Sequence, residues 1–86
     1  MEFGFDESES ASNEEKHGIG FVDAQTLWDD PNALEIPART GDEPRFLIFG
    51  KIGEKHWTGV FTYRDEVVRI ISVRRSRRKE IMVYES

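Results

Sequence analysis

The chain has 86 residues and no cysteine, with 12 Lys and Arg against 17 Asp and Glu for a formal charge of −5. A chain this short makes one small domain with little room for a pocket around a large cofactor, which argues against dinucleotide and haem enzymes, and the missing thiols remove a disulfide scaffold, a thiolate zinc site and a cysteine nucleophile. The acidic start from Met1 to Asp6, and the absence of any apolar run near the roughly 20 residues that span a bilayer, predict a soluble, unexported protein with no membrane partner.

In chain order, Asp6-Glu7-Ser8-Glu9 opens a helix with a capping residue followed three positions later by a carboxylate, and Lys16-His17-Gly18 closes it on a glycine. Its interior is almost entirely polar, so side-chain pairing or docking must hold it, with Phe3, Phe5 and Ile19 just outside to pin it down. Phe21, Ala24, Leu27 and Trp28 recur at helical spacing until Asp29-Asp30-Pro31 stops them, predicting a second, short helix. Ala33 to Ile36 reads as an edge strand and Pro37 to Pro44 as a polar loop. The unbroken apolar run within Arg45 to Lys51 predicts a strand buried on both faces. Strands from His56 to Tyr63 and from Val67 to Val73 follow, with turns at Ile52-Gly53-Glu54-Lys55 and Arg64-Asp65-Glu66. Ser76 to Tyr84 resumes helical spacing, with Ser76 as N-cap and Ile81 and Tyr84 on one face. The expected architecture is a single α+β domain over residues 1–86: two N-terminal helices, a three- to four-stranded antiparallel sheet and a C-terminal helix.

Charge is segregated along this plan. Residues 1–43 hold 12 acidic and 2 basic side chains, a net −10, whereas residues 44–86 hold 5 acidic and 10 basic, a net +5. Arg74-Arg75-Ser76-Arg77-Arg78-Lys79 places cations where a strand ends and a helix begins, beside N–H groups that already present positive potential. An anion is expected there, and a phosphate suits the donors, because guanidinium forks bind it bidentately. The alternative is that Glu14, Glu15 or Glu43 answers these arginines within the fold. A regular strand would put Arg69, Ile71 and Val73 on one face and Val68, Ile70 and Ser72 on the other. His17, at a helix C-terminus, suits either a capping imidazole or acid/base work, and His56 beside Trp57 reads as a packing residue. Neither histidine has metal-ligand spacing.

Phe5-Asp6, Asn13-Glu14-Glu15-Lys16-His17-Gly18-Ile19, then Phe21, Ala24 and Leu27-Trp28-Asp29-Asp30-Pro31 together resemble the BrnT family. Asp42-Glu43-Pro44-Arg45-Phe46, Gly50, Arg69-Ile70-Ile71-Ser72-Val73-Arg74-Arg75, Glu80 and Tyr84-Glu85 continue the resemblance over nearly the whole chain. It implies a cytoplasmic bacterial type II toxin with a RelE-like fold, cleaving RNA without metal or other cofactor. It further implies neutralisation by a BrnA-like antitoxin in an assembly such as two-plus-two, with operator DNA bound only through that complex. Two positions depart from the family pattern: Glu9 stands where lysine is common, and Gly20 where a polar capping residue is common.

Metal-free RNA cleavage needs a proton acceptor for the 2′-hydroxyl, cations for the charge developing on phosphorus, and a proton donor for the leaving oxygen. Arg74 and Arg75 are assigned the charge, with Arg45, Arg69, Arg77, Arg78 and Tyr84 holding RNA. Lys16, His17, Glu43 and Tyr84 are the acid/base candidates. The rival reading is a non-catalytic interaction module whose basic C-terminal half docks an acidic partner or nucleic acid.

Overall fold

The computed structural model describes residues 1–38 and 41–86, so Arg39 and Thr40 of the expected polar loop lie outside the described residues. Strands β1 (Glu2–Gly4), β2 (Leu34–Ala38), β3 (Arg45–Ile52), β4 (Lys55–Arg64) and β5 (Val67–Arg75) form one sheet in the spatial order β1-β5-β4-β3-β2. Helices α1 (Glu7–His17) and α2 (Phe21–Ala24), with a 3-10 turn over Gln25–Asp29, precede β2, and α3 (Arg78–Glu85) ends the chain. The α+β class, the antiparallel run of β3, β4 and β5 and the edge position of β2 agree with expectation.

The sheet differs from the expected three or four antiparallel strands in having five, with β1 parallel to β5 through Glu2↔Val67, Phe3↔Val68 and Gly4↔Arg69. Three residues show no periodicity of their own, and their partner strand lies at the far end of the sequence. What secures β1 is packing: Phe3 meets Trp28 edge-on with centroids 5.1 Å apart, and Phe5 meets Phe21 at 5.7 Å. The expected second helix is one α-turn continued as a 3-10 turn, and β2 runs on to Ala38.

The caps of α1 follow the sequence. Asp6 accepts from the backbone N–H of Ser8 at 2.8 Å and of Glu9 at 3.2 Å, and Gly18 takes the left-handed conformation that ends the helix (φ 83°). These bonds hold the Asp6 carboxyl below its ordinary range, the Ser8 side chain contributing most. The N-cap of α3, by contrast, is Arg77 rather than Ser76, because the Ser76 hydroxyl is engaged with Thr58 Oγ1 at 2.8 Å. Arginine offers no acceptor; instead the Glu80 carboxylate reaches back to accept from the Arg77 N–H at 2.7 Å.

The core lies on one face of the sheet, where Ile19, Phe21, Ala24 and Leu27 pack on Ile48, Trp57, Phe61, Val68, Ile70 and Val73. Gly50 fits closely there, since a Cβ would stand 3.0 Å from Leu27 Cδ2 and Leu27 would have to shift to admit it. On the opposite face, registered pairs make two full rows, Ile36, Leu47, Val60 and Ser72, and Leu34, Phe49, Thr58 and Arg74, and the pairs Ala38↔Arg45 and Thr62↔Arg69 continue the same alternation at the end of the β3–β4 ladder. Helix α3 covers the second of the full rows.

A bulge in β5 corrects the expected alternation. Phe61 pairs with Ile70 and Val60 with Ser72, leaving Ile71 without a β4 partner. One extra residue reverses the parity beyond it, so Val73 rejoins Val68 and Ile70 in the core. Arg69, Ser72 and Arg74 consequently share the outer face, opposite Thr62, Val60 and Thr58.

Candidate functional site

Two groups of ionisable side chains stand out, and they differ in whether the fold already answers them. The first lies where β5 loses its neighbour. The β1 ladder ends at Arg69, and beyond it the Asn13 side chain of α1 takes the place of a strand: its amide N–H groups donate to the carbonyls of Val73 and Ile19, both at 2.8 Å, and its oxygen accepts the Val73 N–H at 3.0 Å. Asn13 is buried, so these three bonds are what make a polar group tolerable there and fix α1 against the strand.

Between the β1 end and this clamp runs an open groove of about 350 Å³, walled by Glu9, Ser12, Lys16 and His17 on one side and by Ile71 and Ser72 on the other. Helical spacing explains the first wall, since positions 9, 12, 13 and 16 share one face of α1. Lys16 and His17 occupy the last turn, where the unpaired carbonyls favour cations. Among the described residues no carboxylate forms a salt bridge with Lys16, His17, Arg45 or Arg69. The groove wall thus carries Glu9 beside Lys16 with no salt bridge between them, and Arg69 lies within electrostatic reach of the Asp6 carboxylate.

The second group lies between α3 and the sheet and is internally satisfied. Arg74 Nη1 and Nη2 donate to the two Glu80 oxygens, each at 2.8 Å, and Thr58 donates to Glu80 at 3.0 Å. Glu80 thus answers Arg74 within the fold, the part that the alternative reading gave to Glu14, Glu15 or Glu43. Chiefly through Arg74, its carboxyl is pulled down to about 2. Further along α3, Tyr84 donates to Asp30 at 2.6 Å, which pushes the phenol up to about 12, and His56 Nε2 meets Glu85 at 2.7 Å. No residue of α3 is buried, so these polar contacts, rather than an apolar stripe, seat the helix.

The structure accordingly brings together some of the residues singled out from sequence and separates others. Lys16 and His17 line one groove, Arg69 and Arg74 flank Ser72 along the same strand face, and Arg45, opposite Ala38, continues the alternation of that face at the end of the β3–β4 ladder. Arg75 points to the other face, its guanidinium 5.5 Å from the Trp57 ring centroid and its Nε bonded to the His56 carbonyl at 3.3 Å. Arg77 and Arg78 are exposed at the start of α3. Glu43 accepts from Arg64 at 3.4 Å beside Arg45, and Tyr84 belongs to the α3 cluster, so neither lines the Lys16 and His17 groove. Sequence reading assigns no role to Ile71 or Ser72 at this groove; the adjacent isoleucines at 70 and 71, which break strict alternation, are the signal that marks the bulge.

Among the described residues no helix is long and apolar enough to cross a membrane. A family model described as the ribonuclease toxin BrnT of type II toxin–antitoxin systems matches residues 5–80, taking in α1, both walls of the groove and the Arg74–Glu80 pair. No curated protein matches the chain.

Proposed function

The chain belongs to the BrnT family of type II toxin–antitoxin ribonuclease toxins, and from that premise we propose that the groove between α1 and β5 is where this copy cleaves RNA. The observation that carries the reading is the contrast in neutralisation: Lys16 in the groove and Arg69 beside it form no salt bridge among the described residues, whereas Arg74, under α3, is paired with Glu80. A single RNA strand lying along β5 meets Arg69, the groove and then Arg74.

In the proposed reaction His17, as neutral imidazole, takes the proton of a ribose 2′-hydroxyl. The 2′-oxygen bonds to the adjacent phosphorus and the bond from phosphorus to the 5′-oxygen breaks. Lys16 gives its proton to that departing oxygen, leaving a 2′,3′-cyclic phosphate and a 5′-hydroxyl. Arg69 and Arg74 face the charge that builds on the non-bridging oxygens, and no metal is needed. Arg74 is held for this by Glu80, which fixes the plane of its guanidinium while leaving other N–H donors available.

The type II family implies an antitoxin partner. We assign it as BrnA-like, with a two-plus-two complex and operator contacts made by the antitoxin. Arg77, Arg78 and Lys79, exposed and without salt bridges among the described residues, favour an acidic segment of that partner at the start of α3. Inducible expression with and without the antitoxin tests the reading. Growth arrest with new 5′-hydroxyl RNA ends is expected from the toxin alone, and a Lys16→Ala, His17→Ala variant that folds and still cleaves RNA would overturn it.

A further inference from the structure

We infer that Ile71 is the residue on which the groove seats a nucleobase, and that it sets which RNA steps are cut; this rests on the groove being the cleavage site. Among the described residues Ile71 is the only apolar side chain in the groove wall, with serines, Glu9, Asn13, Lys16 and His17 around it. It is not a displaced core residue. Its neighbours Ile70 and Val73 fill the core positions of β5, and Ile71 has no partner on β4 and stands beyond the end of the β1 ladder. The bulge therefore adds one residue to the strand, and that residue goes to the groove and remains half-exposed.

A groove that held only ribose and phosphate would gain nothing from an isoleucine. A groove of about 350 Å³ is of the size that takes one small ligand group, and a base splayed from a single strand carries an apolar face that needs such a surface. Ser72 lies beside Ile71 to reach the base edge, while Ser12, Lys16 and His17 stand on the opposite wall, the latter two for the sugar and phosphate. Bulges serve this purpose elsewhere, turning a side chain out of the strand alternation toward a site.

The test is transcriptome-wide mapping of 5′-hydroxyl ends after induction of the wild type, Ile71→Val and Ile71→Thr, with Lys16→Ala, His17→Ala as the control. Both Ile71 replacements are β-branched and suit the strand, and circular-dichroism melting verifies their folding. Wild type and Ile71→Val are expected to share one preference at the cleaved step. In Ile71→Thr the ratio between favoured and disfavoured bases is expected to fall about tenfold, the scale of losing one apolar group from a binding pocket. A folded Ile71→Thr with the wild-type preference overturns the inference and leaves the site reading standing. A control double variant that still cleaves overturns the site reading as well.

Discussion

The two sides of β5 show what an internal counter-charge does to a cation. On the α3 side Arg74 is fixed by two 2.8 Å bonds to Glu80, and Tyr84 and His56 are likewise matched to Asp30 and Glu85. Such contacts hold groups still, and they leave a ligand only the donors that the pairing does not use. On the α1 side Lys16 and His17 sit at a helix end with no salt bridge among the described residues, anchored one turn earlier by Asn13. The fold contributes placement there without pairing either side chain directly. The lesson is that the arginine-rich run, the most conspicuous feature of the sequence, is divided: Arg74 and Arg75 are engaged by the fold and Arg77, Arg78 and Lys79 are exposed, while Lys16 and His17 on a polar helix line an open groove.

That contrast can be broken most decisively at Lys16 and His17. Replacing both by alanine is expected to lower RNA cleavage by about 10³-fold or more with an unchanged melting profile, because acid/base groups contribute on the order of 10²–10⁴ and neither side chain is buried. Glu80 sharpens it from the stability side. Its carboxyl is held at about 2 against 4.5 in the unfolded chain, so its contribution is complete above the unfolded value and disappears as pH falls from there through the folded value. The wild type should lose up to ~3 kcal/mol across that interval. Glu80→Gln should lack this step in its melting temperature against pH.

Arg69→Ala bears on the sheet face between the two sides. It should weaken binding to a non-cleavable RNA and make the dependence of log affinity on log salt about 0.7 shallower, the value of one phosphate contact on a single strand. Glu9→Lys reverses a charge in the groove wall and is expected to tighten RNA binding by a few-fold, an effect of exposed-charge size, measured by anisotropy at low salt. Unchanged affinity in Glu9→Lys would place the RNA away from the groove.

Local chemistry made much of this fold readable. Asp6 and Gly18 mark the ends of α1 because a capping carboxylate and a left-handed glycine are local requirements. The meander follows from its turns, including the Asp65-Glu66 pair with φ of 50° and 67°, a two-residue hairpin connection. Non-local features were not readable. β1 is too short to carry a pattern, and Ser76 looks like an N-cap until Thr58, brought in by β4, takes its hydroxyl. Lys16 and His17 were recognisable as candidates from their helix end, but their neighbours Ile71 and Ser72 come from the far side of the chain through the Asn13 clamp. The bulge that places Arg69 and Arg74 on one face changes the parity of β5, which a regular alternation cannot express.

The most direct measurement is amide and side-chain NMR of the labelled chain titrated with a short RNA whose 2′-hydroxyls are methylated, so that it binds without being cut. Shifts concentrated at Lys16, His17, Ile71 and Ser72, extending to Arg69, are the predicted result. Shifts confined to Arg77, Arg78 and Lys79 on α3, with the groove silent, would contradict it.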